Sequence, residues 1–196
     1  MGEKIAVPDG RAPLPLSRML AAREARWQRR MMLSAHSPVL ISITLCVPLP
    51  FRTDPRGRTI LAEAAEALRG MLRNQSTEAE AAEGFFGRDS GPGTAPDEFM
   101  DGPDGPCLFL SCRGDAKAVK RLCVRAEETL PLGRFLDLDV TAQGGQPVGR
   151  AELGLPPRKC FLCGRPAAEC VASSRHDPSA IAEFVRKHGF AGKETL

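Results

Sequence analysis

The sequence contains no tyrosine, one tryptophan and three histidines among its 196 residues. A surface that stacks nucleic-acid bases on aromatic side chains is therefore poorly supplied, and a net charge of +3 is too small for a dense basic surface. His36, His176 and His188 lie in no recognisable nucleophile motif, and Gly-x-Ser-x-Gly, P-loop and Rossmann motifs are missing. We therefore do not expect nucleic-acid binding or the common hydrolase and dinucleotide-binding activities.

Long apolar segments are missing too. No run reaches the 18 apolar residues of a membrane-spanning helix, and the chain does not open with a basic-then-apolar leader. The apolar run Pro38–Phe51 is interrupted by Ser42, Thr44 and three prolines, which is typical of a buried strand. Seven cysteines, with one Cys-x-x-Cys, favour a reducing compartment over a disulfide framework. We expect a cytoplasmic protein without membrane contact.

The composition is that of an ordinary globular protein, with 42% hydrophobic and 26% charged residues. The mild positive charge suits an anionic small substrate or an acidic partner. We predict an α+β fold, with a mixed or antiparallel sheet and helices packed on it. The expected divisions are a flexible N-terminus (1–15), an α+β core (16–155) and a cysteine-bearing module with a C-terminal helix (156–196).

Periodicity and turn residues place the secondary structure along the chain. The predicted helices are Arg18–His36 with Ser17 as N-cap, Thr59–Asn74, a helix capped by Asp115 that ends near Glu127, and Pro178–His188. The predicted strands are Pro38–Pro50, Cys107–Cys112, an acid-bearing strand that follows the Gly133 turn within Gly133–Val140, and a return strand Val148–Leu153 after the turn Gln143–Pro147. Phe51–Arg58 is predicted to be a loop, and the glycine-rich Gly84–Gly105 a loop with one short strand.

The stretch Gly133–Val140 is the most informative part of the chain. Asp137 and Asp139 alternate with apolar residues, so a strand would point both carboxylates to one face, about 7 Å apart. Two such carboxylates repel unless a cation lies between them, and Mg²⁺ is the usual occupant. The alternative is an edge strand with a solvated face. Gly133 permits a tight turn before the strand, and Arg134 provides a phosphate-binding guanidinium.

A second motif combines soft metal ligands. Cys160, Cys163, Cys170 and His176 form Cys-x2-Cys-x6-Cys-x5-His, a spacing that suits a structural zinc site. Two alternatives stay open: buried or free thiols, and a redox Cys-x-x-Cys, against which the Gly164–Pro166 turn argues because such a motif usually opens a helix.

Two groups of basic residues accompany these motifs. Arg23, Arg26 and Arg30 share one face of the first helix, which is either solvated or faces an anion. A second group surrounds the cysteines and is either a solvated rim or a phosphate pocket: Arg158, Lys159, Arg165, Arg175 and His176.

The two late motifs resemble those of the citrate lyase holo-acyl-carrier-protein synthases, also called apo-citrate lyase phosphoribosyl-dephospho-CoA transferases. The resemblance covers most of Leu16–His188. It rests on Leu132–Val140, Leu155–Cys163, Cys170 and Arg175-His176, and in the N-terminal half on Arg23–Arg26, Gln28, Leu40–Thr44 and Gly102–Gly105.

The resemblance implies an enzyme that moves phosphoribosyl-dephospho-CoA from 2′-(5″-triphosphoribosyl)-3′-dephospho-CoA to a serine of the citrate lyase acyl-carrier (gamma) subunit, releasing pyrophosphate. It implies a magnesium site at Asp137 and Asp139, and a nucleotidyltransferase-like active site by analogy. Roles in binding phosphate or the carrier follow for the basic residues and the glycine before the acids: Arg134 at the α-phosphate or leaving group, Arg23 and Arg26 at the triphosphate or the carrier, Arg158 and Arg175 as further phosphate contacts, and Gly133 in the turn.

The sequence departs from the family pattern in several places. Leu130 and Leu136 stand where the family usually has His and Trp, and Leu49-Pro50-Phe51 replaces a usual Pro-Gly. If that His were an essential base, catalysis would be affected. An alternative function is therefore a non-catalytic, zinc-stabilised module that binds an acyl-carrier protein.

Overall fold

A computed structural model describes residues 16–74 and 97–190. In these ranges a five-stranded antiparallel sheet has the order β2-β3-β1-β4-β5. The strands are β1 (Val39–Leu45), β2 (Glu98–Met100), β3 (Cys107–Cys112), β4 (Leu136–Ala142) and β5 (Pro147–Val148). The helices are α1 (Leu16–Ala35), α2 (Leu49–Arg52), α3 (Gly57–Arg73), α4 (Ala116–Thr129), α5 (Ala167–Ala172) and α6 (Pro178–His188).

The two faces of the sheet bury unequal amounts of apolar surface. On one face Ile43 and Leu138 belong to the main core, together with Leu68 of α3 and Val119 of α4. Fully burying an aliphatic side chain contributes about 1.5–3 kcal/mol, so this face provides much of the stability. The other face carries α1, whose Leu33 packs in a smaller cluster with Leu40, Cys107 and Phe109. Asp137 and Asp139 point to this second face.

Local sequence explains where the later helices begin. Asp115 caps α4 by accepting a hydrogen bond from the Ala118 amide at 2.8 Å. Asp177 caps α6 in the same way through the Ser179 amide at 2.7 Å, and Pro178 occupies the first turn, where its missing N–H costs nothing. The predicted mixed or antiparallel sheet is antiparallel, and the predicted strand Cys107–Cys112 and helix Pro178–His188 are confirmed.

Four local predictions are wrong. The predicted strand Pro38–Pro50 is too long, because β1 ends at Leu45 and α2 begins at Leu49. Ser17 lies inside α1, which already includes Leu16, and is therefore not its N-cap. The predicted loop Phe51–Arg58 contains the end of α2 and the start of α3, since Pro50 in the first turn of α2 is compatible with a helix. The return strand is only Pro147–Val148, because the following residues leave the sheet for a 3-10 turn at Ala151–Leu153.

The predicted N-terminal segment 1–15 and most of the glycine-rich loop (residues 84–96) lie outside the described residues. The short strand predicted near that loop is β2. Among residues 16–74 and 97–190, no helix has the length and apolar character needed to cross a bilayer.

Candidate active site and metal centre

The acid pair lies on β4 as the alternation predicts. Leu136, Leu138 and Val140 are buried, whereas the side chains of Asp137 and Asp139 are 45% and 56% exposed. In the antiparallel register Asp137 lies opposite Thr44 of β1, and Asp139 lies opposite Ser42. The two carboxylates therefore share a face with two hydroxyl side chains. The Ser42 hydroxyl is buried, and its oxygen has no hydrogen-bond partner in the described part of the chain.

The other edge of β4 is closed by side chains. The strand β5 pairs only with Val140 and Thr141, so the preceding residues have a strand neighbour on one side only. At Leu138 the side chains of α4 replace the missing strand: Lys120 Nζ donates to the carbonyl at 2.7 Å, and Glu127 Oε1 accepts from the amide at 2.9 Å. Backbone groups that a strand would have paired are thus satisfied.

Glu127 is the centre of a buried charge network behind the acid pair. Its side chain is 4% exposed, and its two oxygens accept hydrogen bonds from two arginines: Arg158 Nη2 at 2.6 Å and Arg150 Nη2 at 2.5 Å. Arg158 also donates to the Leu136 carbonyl at 2.7 Å and lies 3.3 Å from Asp137 Oδ1. The predicted phosphate contact Arg158 is therefore brought to the acids, but its guanidinium already has several protein partners.

Sequence reasoning missed Lys120, Glu127 and Arg150. A signal for the first two exists, because they lie seven residues apart on the apolar face of α4 that also carries Val119 and Cys123. Lys and Glu on a buried helix face are rare unless they are paired.

A cleft of about 400 Å³ lies along this edge of β4. Four basic and three acidic side chains line it: Arg30, Lys120, Arg150, Arg158, Glu127, Asp137 and Asp139. Removal from water within the cleft, and then the Asp137 charge, raise the pKa of Asp139 even though about half of its side chain is accessible. Arg30 Nη1, 3.8 Å from Asp139 Oδ2, opposes that shift. The cleft therefore combines two nearby carboxylates with surrounding cations.

Arg134 and Gly133 do not lie next to the two acids. Arg134 contacts the cysteine module, and Gly133 packs against α4. Arg134 Nη2 donates to the carbonyls of Cys160 and Phe161 at 2.9 and 3.1 Å, and the guanidinium lies over Phe184 at 5.4 Å. A Cβ atom at Gly133 would collide with the Ala126 and Glu127 carbonyl oxygens, so this glycine allows the 3-10 turn to pack against α4. In this conformation Arg134 contacts the cysteine module.

Of the arginines of α1, Arg30 lines the cleft, whereas Arg26 lines a separate small cavity. Arg26 Nη2 forms an ion pair with Asp104 Oδ1 at 2.7 Å. Together with Arg52 and Thr44 these residues line a cavity of about 20 Å³. Burial, and then the charge of Arg23, lower the pKa of Arg52. Arg23 is exposed, as is Arg175, which follows α5 in the cysteine module.

The four predicted soft ligands come together. The sulfur atoms of Cys160, Cys163 and Cys170 and a ring nitrogen of His176 all lie within 4.8 Å of one another. Cys163 Sγ is 3.5 Å from Cys170 Sγ and 3.3 Å from His176 Nε2. Tetrahedral zinc with Zn–S bonds of about 2.3 Å places sulfur ligands about 3.8 Å apart, so the cluster could bind a metal such as zinc.

The backbone around Cys160 has the shape that a metal-binding turn needs. The Cys160 amide donates to the Arg165 carbonyl at 2.6 Å, and Gly164 adopts φ +70°, which favours glycine. Removal from water acts to raise the pKa of the Cys160 thiol, but backbone amides of Leu162 and Cys163 outweigh it and lower that pKa. The remaining cysteines are also free thiols: Cys46 is half-buried, and Cys107, Cys112 and Cys123 are buried.

Comparison with known proteins agrees with the resemblance that the motifs indicate. A family model described as apo-citrate lyase phosphoribosyl-dephospho-CoA transferase matches residues 14–189. The chain belongs to this family. The match includes the acid strand, the cleft and the Cys/His cluster.

Curated relatives from several bacteria carry related names. The chain is 32% identical over 171 residues to Protein CitXG of Leuconostoc mesenteroides subsp. cremoris. The matched segment covers 86% of this chain but only 33% of that longer protein. It is 29% identical over 159 residues to the apo-citrate lyase phosphoribosyl-dephospho-CoA transferase of Shigella flexneri, covering 81% of this chain and 79% of that protein. The protein of the same name from Escherichia coli O157:H7 is 28% identical over 159 residues, again covering 81% of this chain and 79% of that protein.

Proposed function

We propose that the chain transfers phosphoribosyl-dephospho-CoA from 2′-(5″-triphosphoribosyl)-3′-dephospho-CoA to a serine of the citrate lyase acyl-carrier (gamma) subunit, with release of pyrophosphate. The observation that carries the proposal is the acid pair of β4, which lies beside a cleft lined by four basic side chains in a member of this family. The arrangement of a glycine-containing turn followed by a strand with two acids supports the analogy to nucleotidyltransferases.

In the proposed reaction the serine oxygen attacks the α-phosphorus. A new O–P bond forms, the bond between the α-phosphorus and the diphosphate oxygen breaks, and the serine loses its proton. Negative charge develops on the transferring phosphoryl group and on the leaving diphosphate. Arg30, Lys120 and Arg150 line the cleft where that charge would be neutralised.

Asp137 and Asp139 are the proposed ligands of Mg²⁺. They fit it because both offer carboxylate oxygens on one face of a strand, and because both line the cleft. Removal from water, and then the Asp137 charge, raise the pKa of Asp139, and a bound cation would oppose both effects. A bound Mg²⁺ would supply charge neutralisation on the phosphoryl oxygens.

We keep the phosphate-binding roles that the resemblance implies for the basic residues. The residues differ in how close the structure places them to the acid pair. Arg158 supports Asp137 directly and would act on phosphate from that position. Arg134 would have to leave the Cys160 and Phe161 carbonyls to reach a phosphate. Arg175, on the exposed surface of the cysteine module, would contact phosphate or the carrier. Zinc in the Cys/His cluster would be structural, since all four ligands come from the protein.

A mass-shift assay tests the proposal. The chain is mixed with apo acyl-carrier subunit, the triphosphoribosyl precursor and Mg²⁺, and compared with Asp137→Asn, Asp139→Asn and the exposed-acid control Glu128→Gln. We expect the carrier to gain one prosthetic group with wild type and Glu128→Gln, and the initial rate to fall by at least about 100-fold in the two Asp variants.

The outcomes separate the alternatives. Undiminished transfer by both Asp variants would keep the transferase and refute the metal assignment. No transfer by wild type, with carrier binding retained in a pull-down, would favour the non-catalytic carrier-binding module.

A further inference from the structure

The arginines of α1 and the neighbouring Arg52 differ in whether they form ion pairs. Arg26 is paired with Asp104, Arg29 with Glu98 and Arg30 with Asp139. Arg23 and Arg52, by contrast, take part in none of the ion pairs within residues 16–74 and 97–190. Arg52 uses its Nε to donate to the Val47 carbonyl at 2.7 Å, which holds the side chain in place and leaves its terminal nitrogens for other partners.

We use the term arginine recess for the surface formed by Arg23, Arg26, Arg52 and Asp104. Its side chains are held in place by specific contacts. Asp104 is 1% exposed and fixes Arg26 through its Oδ1. Gly105 has φ +100°, and a Cβ atom there would lie 2.8 Å from the Arg52 carbonyl oxygen. The turn Gly102–Gly105 can therefore pack directly on Arg52 only because residue 105 is glycine.

The recess contains two buried polar atoms without a hydrogen-bond partner in the described residues, Arg26 Nε and Asp104 Oδ2. Both side chains line the cavity of about 20 Å³, which has room for one water-sized group. A water molecule there would accept from Arg26 and donate to Asp104. Because Asp104 already compensates Arg26, the recess keeps two positive charges, those of Arg23 and Arg52.

The position of the recess relative to the acids indicates what it binds. Thr44 lines the small cavity and lies opposite Asp137 on the neighbouring strand, at the strand spacing of about 5 Å. The 400 Å³ cleft lies along the far edge of β4, against α4 and β5, and is also lined by Arg30 of α1. The acid pair thus separates a recess with two uncompensated cations from the larger cleft.

We propose that the guanidinium groups of Arg23 and Arg52, at the rim of the arginine recess, bind the diphosphate that leaves in the transfer reaction. The enclosed cavity of about 20 Å³ beside Arg26 and Asp104 has room only for the water-sized group. In-line displacement places the attacking and leaving oxygens on opposite sides of the phosphorus. A phosphorus held at the acid pair would then be attacked from the cleft side and would release its diphosphate toward Arg23 and Arg52. This inference rests on the proposed function and assigns the two ends of the substrate to two sides of β4.

Inorganic pyrophosphate is the probe. Its Kd is measured by isothermal titration calorimetry with wild type, Arg23→Gln, Arg52→Gln and Arg29→Gln. Arg29 is the matched control because it lies on the same helix but is compensated by Glu98. We expect Kd to rise about 10-fold or more in Arg52→Gln, to rise several-fold in Arg23→Gln, and to change less than about twofold in Arg29→Gln. Orthophosphate should bind more weakly than pyrophosphate because it reaches fewer guanidinium groups.

The Arg23→Gln variant should fold normally, because Arg23 is exposed and its loss breaks no described ion pair. It therefore tests the recess even if Arg52→Gln is destabilised. Equal weakening in all three variants, or no binding by wild type at millimolar pyrophosphate, would overturn the inference. Transfer by wild type with unchanged pyrophosphate affinity in Arg23→Gln and Arg52→Gln would refute the recess and keep the proposed function. Pyrophosphate binding that depends on both arginines, without any transfer, would refute the function and keep the anion site.

Discussion

Arg134 and Arg158 hold each other's segments in a reciprocal arrangement. Arg134, two residues before Leu136, donates to the carbonyl of Cys160, while Arg158, two residues before Cys160, donates to the carbonyl of Leu136. The acid strand and the turn that contains Cys160 are therefore joined from both sides. The geometry of Asp137 depends on the position of the cysteine module as well as on the sheet.

This reciprocity predicts that the two arginines are energetically coupled. In a double-mutant cycle with Arg134→Ala and Arg158→Lys, measured by urea denaturation, we expect a coupling energy of about 0.5–3 kcal/mol, because each side chain stabilises the segment that the other contacts. The control cycle pairs Arg134→Ala with Arg73→Ala, at the exposed end of α3, and should be additive within about 0.5 kcal/mol. Additivity in both cycles would show that the two contacts act independently.

Glu127 should be far more important for stability than its neighbour Glu128. Glu127→Gln removes a buried charge between two arginines and should cost about 3 kcal/mol or more, which corresponds to a Tm lower by roughly 6–12 °C. Glu128→Gln is the matched control, since Glu128 is exposed and its contact with Arg150 at 3.3 Å should contribute less than about 1 kcal/mol. Similar Tm values for the two variants would contradict the buried network.

The raised pKa of Asp139 predicts a cost at neutral pH. A folded-state pKa above the unfolded value means that stability is lost as pH rises through the folded pKa. In magnesium-free buffer we therefore expect Asp139→Asn to melt about 1–3 °C above wild type at pH 7.5, and this excess to shrink toward pH 4. Thermal denaturation followed by circular dichroism at both pH values measures it. A variant less stable than wild type at pH 7.5 would refute the prediction.

The Cys/His cluster predicts about one zinc per chain in protein purified without chelator. Cys163→Ser should lower the zinc content, measured by inductively coupled plasma mass spectrometry, to a small fraction of that value and should lower Tm, because metal binding and folding are coupled. Cys112→Ala, which changes a cysteine of the core, should retain its zinc. Metal-free wild-type protein with the same Tm would argue that these are ordinary thiols.

Leu130, which the motif resemblance places at a position usually occupied by His, has a packing role in the structure. It is the C-cap residue of α4 and packs, partly buried, against the main core. Leu130→His should therefore cost about 1 kcal/mol and change the transfer rate by no more than about twofold. The mass-shift assay gives the rate and urea denaturation the stability. A tenfold faster variant would instead show that this leucine limits activity.

The features that the sequence predicts well are local ones. The alternation of acids on β4 and the spacing of the four soft ligands follow from backbone geometry over a few residues, and both are reproduced. The direction of Arg134 could not be predicted in this way. It lies in a 3-10 turn before the strand, where alternation does not apply, and its contacts are 26 and 27 residues away.

The charge network behind the acids was missed for a related reason. Glu127 binds Arg150 and Arg158, which lie 23 and 31 residues further along the chain and in different segments. Composition shows that such charges exist, but only the packing of α4 against β4 decides that they meet. The buried positions of Lys120 and Glu127 on an apolar helix face were the one available signal.

The closed edge of β4 also bears on association between chains. An unpaired strand edge is a template on which another molecule can add a strand. Here Lys120, Glu127 and Arg158 occupy the hydrogen-bonding groups of Leu136 and Leu138, so a second chain could not extend the sheet there without displacing buried charges. The side chains that shape the cleft therefore also protect this edge against strand-mediated aggregation.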